Sequence, residues 1–407
     1  MQLDLNHLIG ALSNTIDLVG VDELYHGKRV AYMADCCAAS LNLNDDERLL
    51  LFRAGLLHDC GVSSTKVHKQ LVDELDWNGS DLHCRLGAER LRLFAPLAPL
   101  SDIIRYHHTR WPELQDIPLP ARTRRYANLI FLLDRVDALA GLHPSANHLV
   151  AKESILRTLN SLGESYFDPE LVEILMLVSA NDAFWLGMEP VHIEGFMATH
   201  STAGNPSPID LDGHDLLHVA SLFGQIVDAK SRYTAEHSRG VASLSRFLAE
   251  HSGLAPATCD RIEAAGLLHD LGKLQVPDII LDFDGQLDQD GLFAMRHHSY
   301  VTYQILRRIK GFEDIARWAA DHHEKLDGSG YPFRRTASEL DIESRIIIIA
   351  DIFQAMAQDR PYRSSQPVNT IVDLLRRGAE SGQLDAELVS LVCAMPEACY
   401  SVAVGEG

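Results

Sequence analysis

Five histidines and two aspartates in the C-terminal half have the types and spacing of a metal centre: His237, His269, Asp270, His298, His322, His323 and Asp351. Imidazole and carboxylate donors without thiolate suit Fe, Mn, Ni, Co or Zn. Seven donors exceed the needs of one tetrahedral ion and suit two ions that share a bridge. The adjacent pair His269-Asp270 is the natural bridge, because a carboxylate can give one oxygen to each ion. The second adjacent pair, His322-His323, can serve the other ion. Two ions about 3.5–4 Å apart activate water at neutral pH and clamp both oxygens of an in-line phosphoryl displacement. Asp270 is therefore read as catalytic as well as metal-binding. Lys273, four residues after His269, shares its face if a helix continues, and there would neutralise a phosphate oxygen in the transition state. After His323 comes E-K-L-D-G-S-G-Y-P, a turn-rich loop in which Gly328, Gly330 and Tyr331 are expected to meet substrate, Tyr331 by stacking on a base. Arg360 and Arg363 lie beyond Asp351 and suit a phosphate or a guanine edge.

An internal repeat selects this set from 20 histidines. Asp4, His26 and His58-Asp59 recur 211 residues later as Asp215, His237 and His269-Asp270. His83 and His107-His108 recur at an offset of 215 as His298 and His322-His323. Asp134 recurs at 217 as Asp351, as does FDPELV from Phe167 as LDAELV from Leu384. His7, His218, His251 and His297 fall outside the pattern and read as ordinary polar residues. His297 adjoins His298, but only His298 stands eight residues before Leu306, as His83 does before Leu91.

The elements that must hold these residues read as helices. Leu5, Leu8, Ile9, Leu12, Ile16 and Val19 follow helical spacing, as do Leu216, Val219, Ala220, Phe223 and Val227. RIIIIADIFQAMA, from Arg345, favours a strand by propensity. Its repeat partner ANLIFLLDRVDALA, from Ala127, is a better helix former, and both are expected as fully buried helices. The fold class expected is all-α: two helical bundles. The stretch from Met197 to Gly213 is rich in Gly, Ser, Pro and Asp and reads as a linker. Residues 1–195 then form one domain, 196–211 the linker and 212–407 the second domain. At 407 residues the chain is long enough for two cores.

The formal charge of −21 argues against a nucleic-acid polymer as partner, though a metal site can still draw in a small phosphorylated substrate. No apolar run is long enough to span a bilayer, and no signal peptide is visible, so no membrane partner and a cytoplasmic location are expected. The seven cysteines are odd in number and lack a CxxC pair, which suggests reduced, buried thiols.

HDLGK from His269, HHEKLDGSGYP from His322 and ADIFQAMAQDRPYR from Ala350 resemble the HD-GYP phosphodiesterases. The resemblance covers nearly all of the second domain. It implies a helical fold, an iron- or manganese-type centre and a cyclic dinucleotide substrate, cyclic di-GMP first and 3′,3′-cGAMP second. It places metal on the seven residues named, catalysis on Lys273 and substrate contacts on Arg360 and Arg363. Three positions depart from the family pattern. Tyr233 replaces the glutamate of three-metal members, so two ions are expected; Gln354 replaces an aspartate and Thr302 a glycine. The first domain resembles a degenerate copy. His26, His58, Asp59, His83, His107, His108 and Asp134 keep every ligand type, but Val62 stands at the lysine position, and TRWPELQDIPLP and LHPS replace the loop and the arginine motif. It is expected to be a regulatory domain with a metal or ligand of its own, or an inactive structural copy. The competing functions are an HD phosphohydrolase on other nucleotides and a non-catalytic ligand-sensing scaffold. A signalling protein is a further candidate partner.

Overall fold

The computed structural model describes the chain apart from residues 20–24, 63–78, 144–146, 204–206, 229–233, 282, 284, 360–363 and 406–407. The described residues are overwhelmingly helical, as expected. They form two compact units, Leu5–Ser207 on one side and Pro208–Gly407 with Met1–Asp4 on the other.

The division differs from the expected one. Residues at the start of the supposed linker complete the helix Pro190–Ala203. Phe196 anchors that helix, its ring lying 5.1 Å from Tyr32 and 6.0 Å from Phe52. The strand Pro208–Asp210 then pairs antiparallel with Gln2–Asp4, Leu3 opposite Ile209. The N-terminal amino group donates to the Leu211 carbonyl at 2.6 Å, and Leu3 and Leu211 are buried. Composition hid this pairing, because three-residue strands are too short to show a period.

In the C-terminal unit, Thr234–His251 packs against Pro256–Leu268. A Cβ at Gly266 would lie 2.8 Å from the Ala242 Cα, so only glycine permits this approach. The repeat keeps the device: a Cβ at Gly55 would lie 2.6 Å from the Ala31 Cα. Close helix contact is what brings the first two histidines of each unit together. Ile342–Ala357 is helical, with Asp341 accepting from the Ser344 N–H at 3.1 Å. The cap and the burial of Ile346, Ile347, Ile348 and Ile349 override strand propensity. The helix is not buried all round as expected: Ile352 is half-buried and lines a cavity. All seven cysteines are free. Among the described residues no single helix is long and apolar enough to cross a membrane.

Candidate metal centre

The seven C-terminal residues come from five separate segments and meet at one place. His237 stands on Thr234–His251, His298 on Gln289–Leu306 and Asp351 on Ile342–Ala357. His269 and Asp270 end Pro256–Leu268, and His322 and His323 sit in the single turn Asp321–His323. His237 Nε2 lies 3.3 Å from His269 Nε2, 3.2 Å from Asp351 Oδ1 and 3.7 Å from Asp270 Oδ2. His298 Nε2 lies 3.0 Å from His322 Nε2 and 3.4 Å from Asp270 Oδ1. His323 joins this second group, with Nδ1 3.8 Å from Asp351 Oδ2. Asp270 thus turns one oxygen to each histidine group. His297, the rejected neighbour, is exposed.

The donor chemistry fits cations. His298 Nδ1 contacts the Met295 carbonyl at 2.5 Å, and His322 Nδ1 contacts the Ala319 carbonyl at 2.6 Å. A carbonyl only accepts, so both rings carry their proton on Nδ1. Burial pushes His298 down to about 3 and holds His322 well below the ordinary histidine range, so both rings are neutral. Two bare Nε2 lone pairs then face each other across 3.0 Å, an arrangement that repels unless a cation lies between them. His269 donates from Nδ1 to the Gly266 carbonyl at 2.7 Å and His237 to Gln354 Oε1 at 2.5 Å, which aims their Nε2 atoms at Asp270 and Asp351. Burial opposes protonation of His269, but the Asp270 carboxylate beside it holds the ring above its ordinary range. Burial also pushes His323 down to about 4. Burial opposes ionisation of Asp270, but His269 and Lys273 overcome it and hold the carboxyl well below its usual range.

Lys273 reaches the site by a different route from the one expected. The helix stops at Leu268, and the short turn Leu271–Gln275 carries Lys273 back so that its Nζ lies 2.5 Å from Asp270 Oδ2. The loop after His323 is organised by Glu324, to which the sequence reading gave no role. Its buried carboxylate accepts from the backbone N–H groups of Phe333, Arg334 and Arg335 at 2.6, 3.1 and 3.1 Å. A Cβ at Gly330 would lie 2.4 Å from the Glu324 Cα, so the loop closes on itself only with glycine there. Gly328 takes φ 74°. Tyr331 packs its ring 4.8 Å from His323, with the Arg296 guanidinium 5.2 Å from the Tyr331 ring centroid. The half-buried ring also lines the cavity beside His322 and His323. Glu324→Ala is expected to unseat this loop and cut turnover while leaving His237 and His269 in place. A crystal structure of the variant with an unmoved loop contradicts that role. Arg360, Arg363 and Tyr233 lie outside the described residues.

The N-terminal unit brings its seven counterparts together too. His26 Nε2 is 3.0 Å from His58 Nε2, and His83 Nε2 is 3.3 Å from His107 Nε2. Asp59 Oδ2 lies 3.5 Å from His58 and Oδ1 3.5 Å from His83. His108 Nε2 is 3.5 Å from Asp134 Oδ2. The buried Arg135 also holds that oxygen, at 2.8 Å, where the C-terminal unit has Ile352.

HD domain models match residues 24–139 and 221–388. A solved Vibrio cholerae cyclic GMP-AMP-specific phosphodiesterase (V-cGAP3) covers 100% of this chain and 98% of its own, with TM-score 0.64 and 25% identity. A cyclic di-GMP phosphodiesterase of Thermotoga maritima is 33% identical over 38% of this chain and 42% of its own. The 3′3′-cGAMP-specific phosphodiesterase 1 of Vibrio cholerae is 35% identical over 99% of this chain and 94% of its own length. The chain belongs to the HD-GYP family. Two of its departures from the HD-GYP pattern acquire a physical meaning in the structure. Gln354 Oε1, a neutral amide oxygen, accepts from His237 Nδ1–H at 2.5 Å. The N-terminal unit uses a carboxylate, Asp137, 2.7 Å from His26 Nδ1. A neutral acceptor fixes the ring without raising its basicity as a carboxylate does. Thr302 accepts from the Gly272 N–H at 2.9 Å and donates to the His269 carbonyl at 3.0 Å, pinning the HD turn to the helix that carries His298. Offset matching could have flagged both, since Asp137 and Gly87 occupy the counterpart positions.

Proposed function

We propose that this protein is a metal-dependent phosphodiesterase that opens the 3′,5′-phosphodiester of a cyclic dinucleotide in the cytoplasm, 3′,3′-cGAMP ahead of cyclic di-GMP. That order reverses the one expected from the motifs, because the relative matched along almost the whole chain carries the cGAMP name whereas the cyclic di-GMP relative aligns with 38% of it. The observation that carries the reading is Asp270, whose Oδ2 and Oδ1 face separate histidine groups at 3.3 and 3.4 Å. That arrangement supports two divalent ions, Fe or Mn first and Ni, Co or Zn as further candidates. When bound, they would lower the pKa of the attacking water and neutralise charge developing on the phosphoryl group.

The protein's own part is placement. His237, His269 and Asp351 hold one side of the bridge, and His298, His322 and His323 the other. Backbone carbonyls behind His269, His298 and His322, and Gln354 behind His237, fix the tautomers of these rings. Lys273, already at the bridge, stands where it can pass from Asp270 to a non-bridging phosphate oxygen. Lys273→Ala is expected to retain its metal and to lose about 2–4 kcal/mol of transition-state stabilisation, a fall in kcat/KM of roughly 30- to 1000-fold. An unchanged kcat/KM contradicts this role. The N-terminal unit is proposed as regulatory.

The test is to reconstitute the protein with Fe(II) or Mn(II) and incubate it with 3′,3′-cGAMP, cyclic di-GMP, dGTP and ppGpp. Linear dinucleotide should form from the first two, with cGAMP faster. Turnover of dGTP or ppGpp alone would replace this reading with a nucleotide phosphohydrolase.

A further inference from the structure

Beside His322 and His323 opens a cavity of about 560 Å³. Ile348, Ile352, Leu374 and Leu384 make its walls apolar. The metal ligands close one end, and Tyr331 and Lys325 border it. Arg377, on the helix Val368–Glu380, lines the same space, and its guanidinium has no ion-pair or hydrogen-bond partner among the described residues. Gln383 also lines the cavity, and its Oε1 already accepts from Lys325 Nζ at 3.2 Å. An apolar slot with one uncommitted planar cation, sharing a wall with the centre, fits a flat aromatic group with acceptors on its edge.

The internal repeat supplies a control. At the counterpart positions Phe131 replaces Ile348, Phe167 replaces Leu384, Tyr166 replaces Gln383 and Asn160 replaces Arg377. The Phe131 ring lies 5.3 Å from Phe167 and 5.0 Å from His108, and Arg110 sits 4.4 Å over Tyr166. Aromatic side chains thus fill in the N-terminal unit the space that is open in the C-terminal one. The candidate ligands are kept in both units, but the residues that line the cavity are not.

We infer that this cavity is the purine subsite of the active centre and that Arg377 reads guanine. The inference rests on the proposed cyclic-dinucleotide substrate. Guanine presents two acceptors, O6 and N7, on its Hoogsteen edge, which match the arginine fork. Adenine presents one acceptor and one donor there, and guanidinium has no acceptor to answer the donor. The enzyme should therefore favour substrates with at least one guanine, and Arg377 should set that preference.

The test compares wild type, Arg377→Ala and Arg377→Lys, each loaded with Mn(II), on 3′,3′-cGAMP, cyclic di-GMP, cyclic di-AMP and the base-free diester bis(p-nitrophenyl) phosphate. Arg377→Ala should lower kcat/KM for the two guanine substrates about 10- to 150-fold, the scale of one bidentate base contact, mainly through KM. Cyclic di-AMP and the base-free diester should be little changed, and Arg377→Lys should behave like Arg377→Ala because it keeps charge without the fork. An equal loss on all three dinucleotides, restored by lysine, overturns the base assignment in favour of a phosphate contact. Unchanged selectivity with wild-type turnover of dinucleotides overturns the inference alone. Wild type that cleaves the base-free diester but no dinucleotide overturns both the inference and the substrate class it rests on.

Discussion

Asp270→Ala should abolish phosphodiester hydrolysis and lower the metal held by the C-terminal unit. The carboxylate is 2% exposed and its two oxygens face the two histidine groups, Oδ2 3.3 Å from His269 Nε2 and Oδ1 3.4 Å from His298 Nε2. Its removal leaves Lys273 without this carboxylate and leaves the two sets of nitrogens with only Asp351 between them, 3.2 Å from His237 and 3.8 Å from His323. Asp270→Asn separates the loss of the bridge from the loss of volume. It keeps the shape but offers one oxygen, so metal should fall and turnover should vanish while the protein stays folded. Metal analysis, circular dichroism and turnover measured together check this. Near-normal activity with full metal content in either variant rules out a bridging role.

The second large effect separates the two units. His269→Ala with Asp270→Ala should eliminate hydrolysis, whereas His58→Ala with Asp59→Ala should leave the chemistry in place. The ligand geometry does not distinguish them, since the pairs His26–His58 and His237–His269 meet at 3.0 and 3.3 Å. What surrounds the ligands does. Val62 stands at the position of Lys273, Arg135 occupies Asp134, and Phe131, Tyr166 and Phe167 replace Ile348, Gln383 and Leu384 of the proposed substrate cavity. We therefore expect the N-terminal unit to bind metal without cleaving cyclic dinucleotides. Hydrolysis that survives in the His269→Ala, Asp270→Ala protein and disappears on adding the first pair would show the N-terminal unit to be an enzyme. Loss of hydrolysis in the His58→Ala, Asp59→Ala protein, with the C-terminal unit folded and metal-loaded, would show strong coupling between the units.

The clustered histidines and aspartates were legible because a candidate metal site constrains residue type and spacing at once, and because the chain states the pattern twice. The repeat even separated His298 from His297, one buried at the centre and the other exposed. The helix Ile342–Ala357 was legible through its partner, although isoleucine alone argued for a strand. The residues that support the ligands were harder to see. Gln354, Thr302 and Glu324 act through hydrogen bonds that depend on how distant segments meet, and no local spacing encodes that. Lys273 was found by residue type, but the helix expected to carry it ends at Leu268. The cavity was invisible for the same reason: its walls come from the loop after His323, from the helix Ile342–Ala357 and from the helix bearing Arg377.

The most direct test of the binuclear centre is a metal titration of the His58→Ala, Asp59→Ala protein, stripped and then reloaded with Mn(II) under turnover of 3′,3′-cGAMP. Two equivalents bound in the C-terminal unit, with activity rising until the second is in place, is the result the shared Asp270 carboxylate predicts. Full activity at one equivalent, or hydrolysis by the stripped protein, would contradict it.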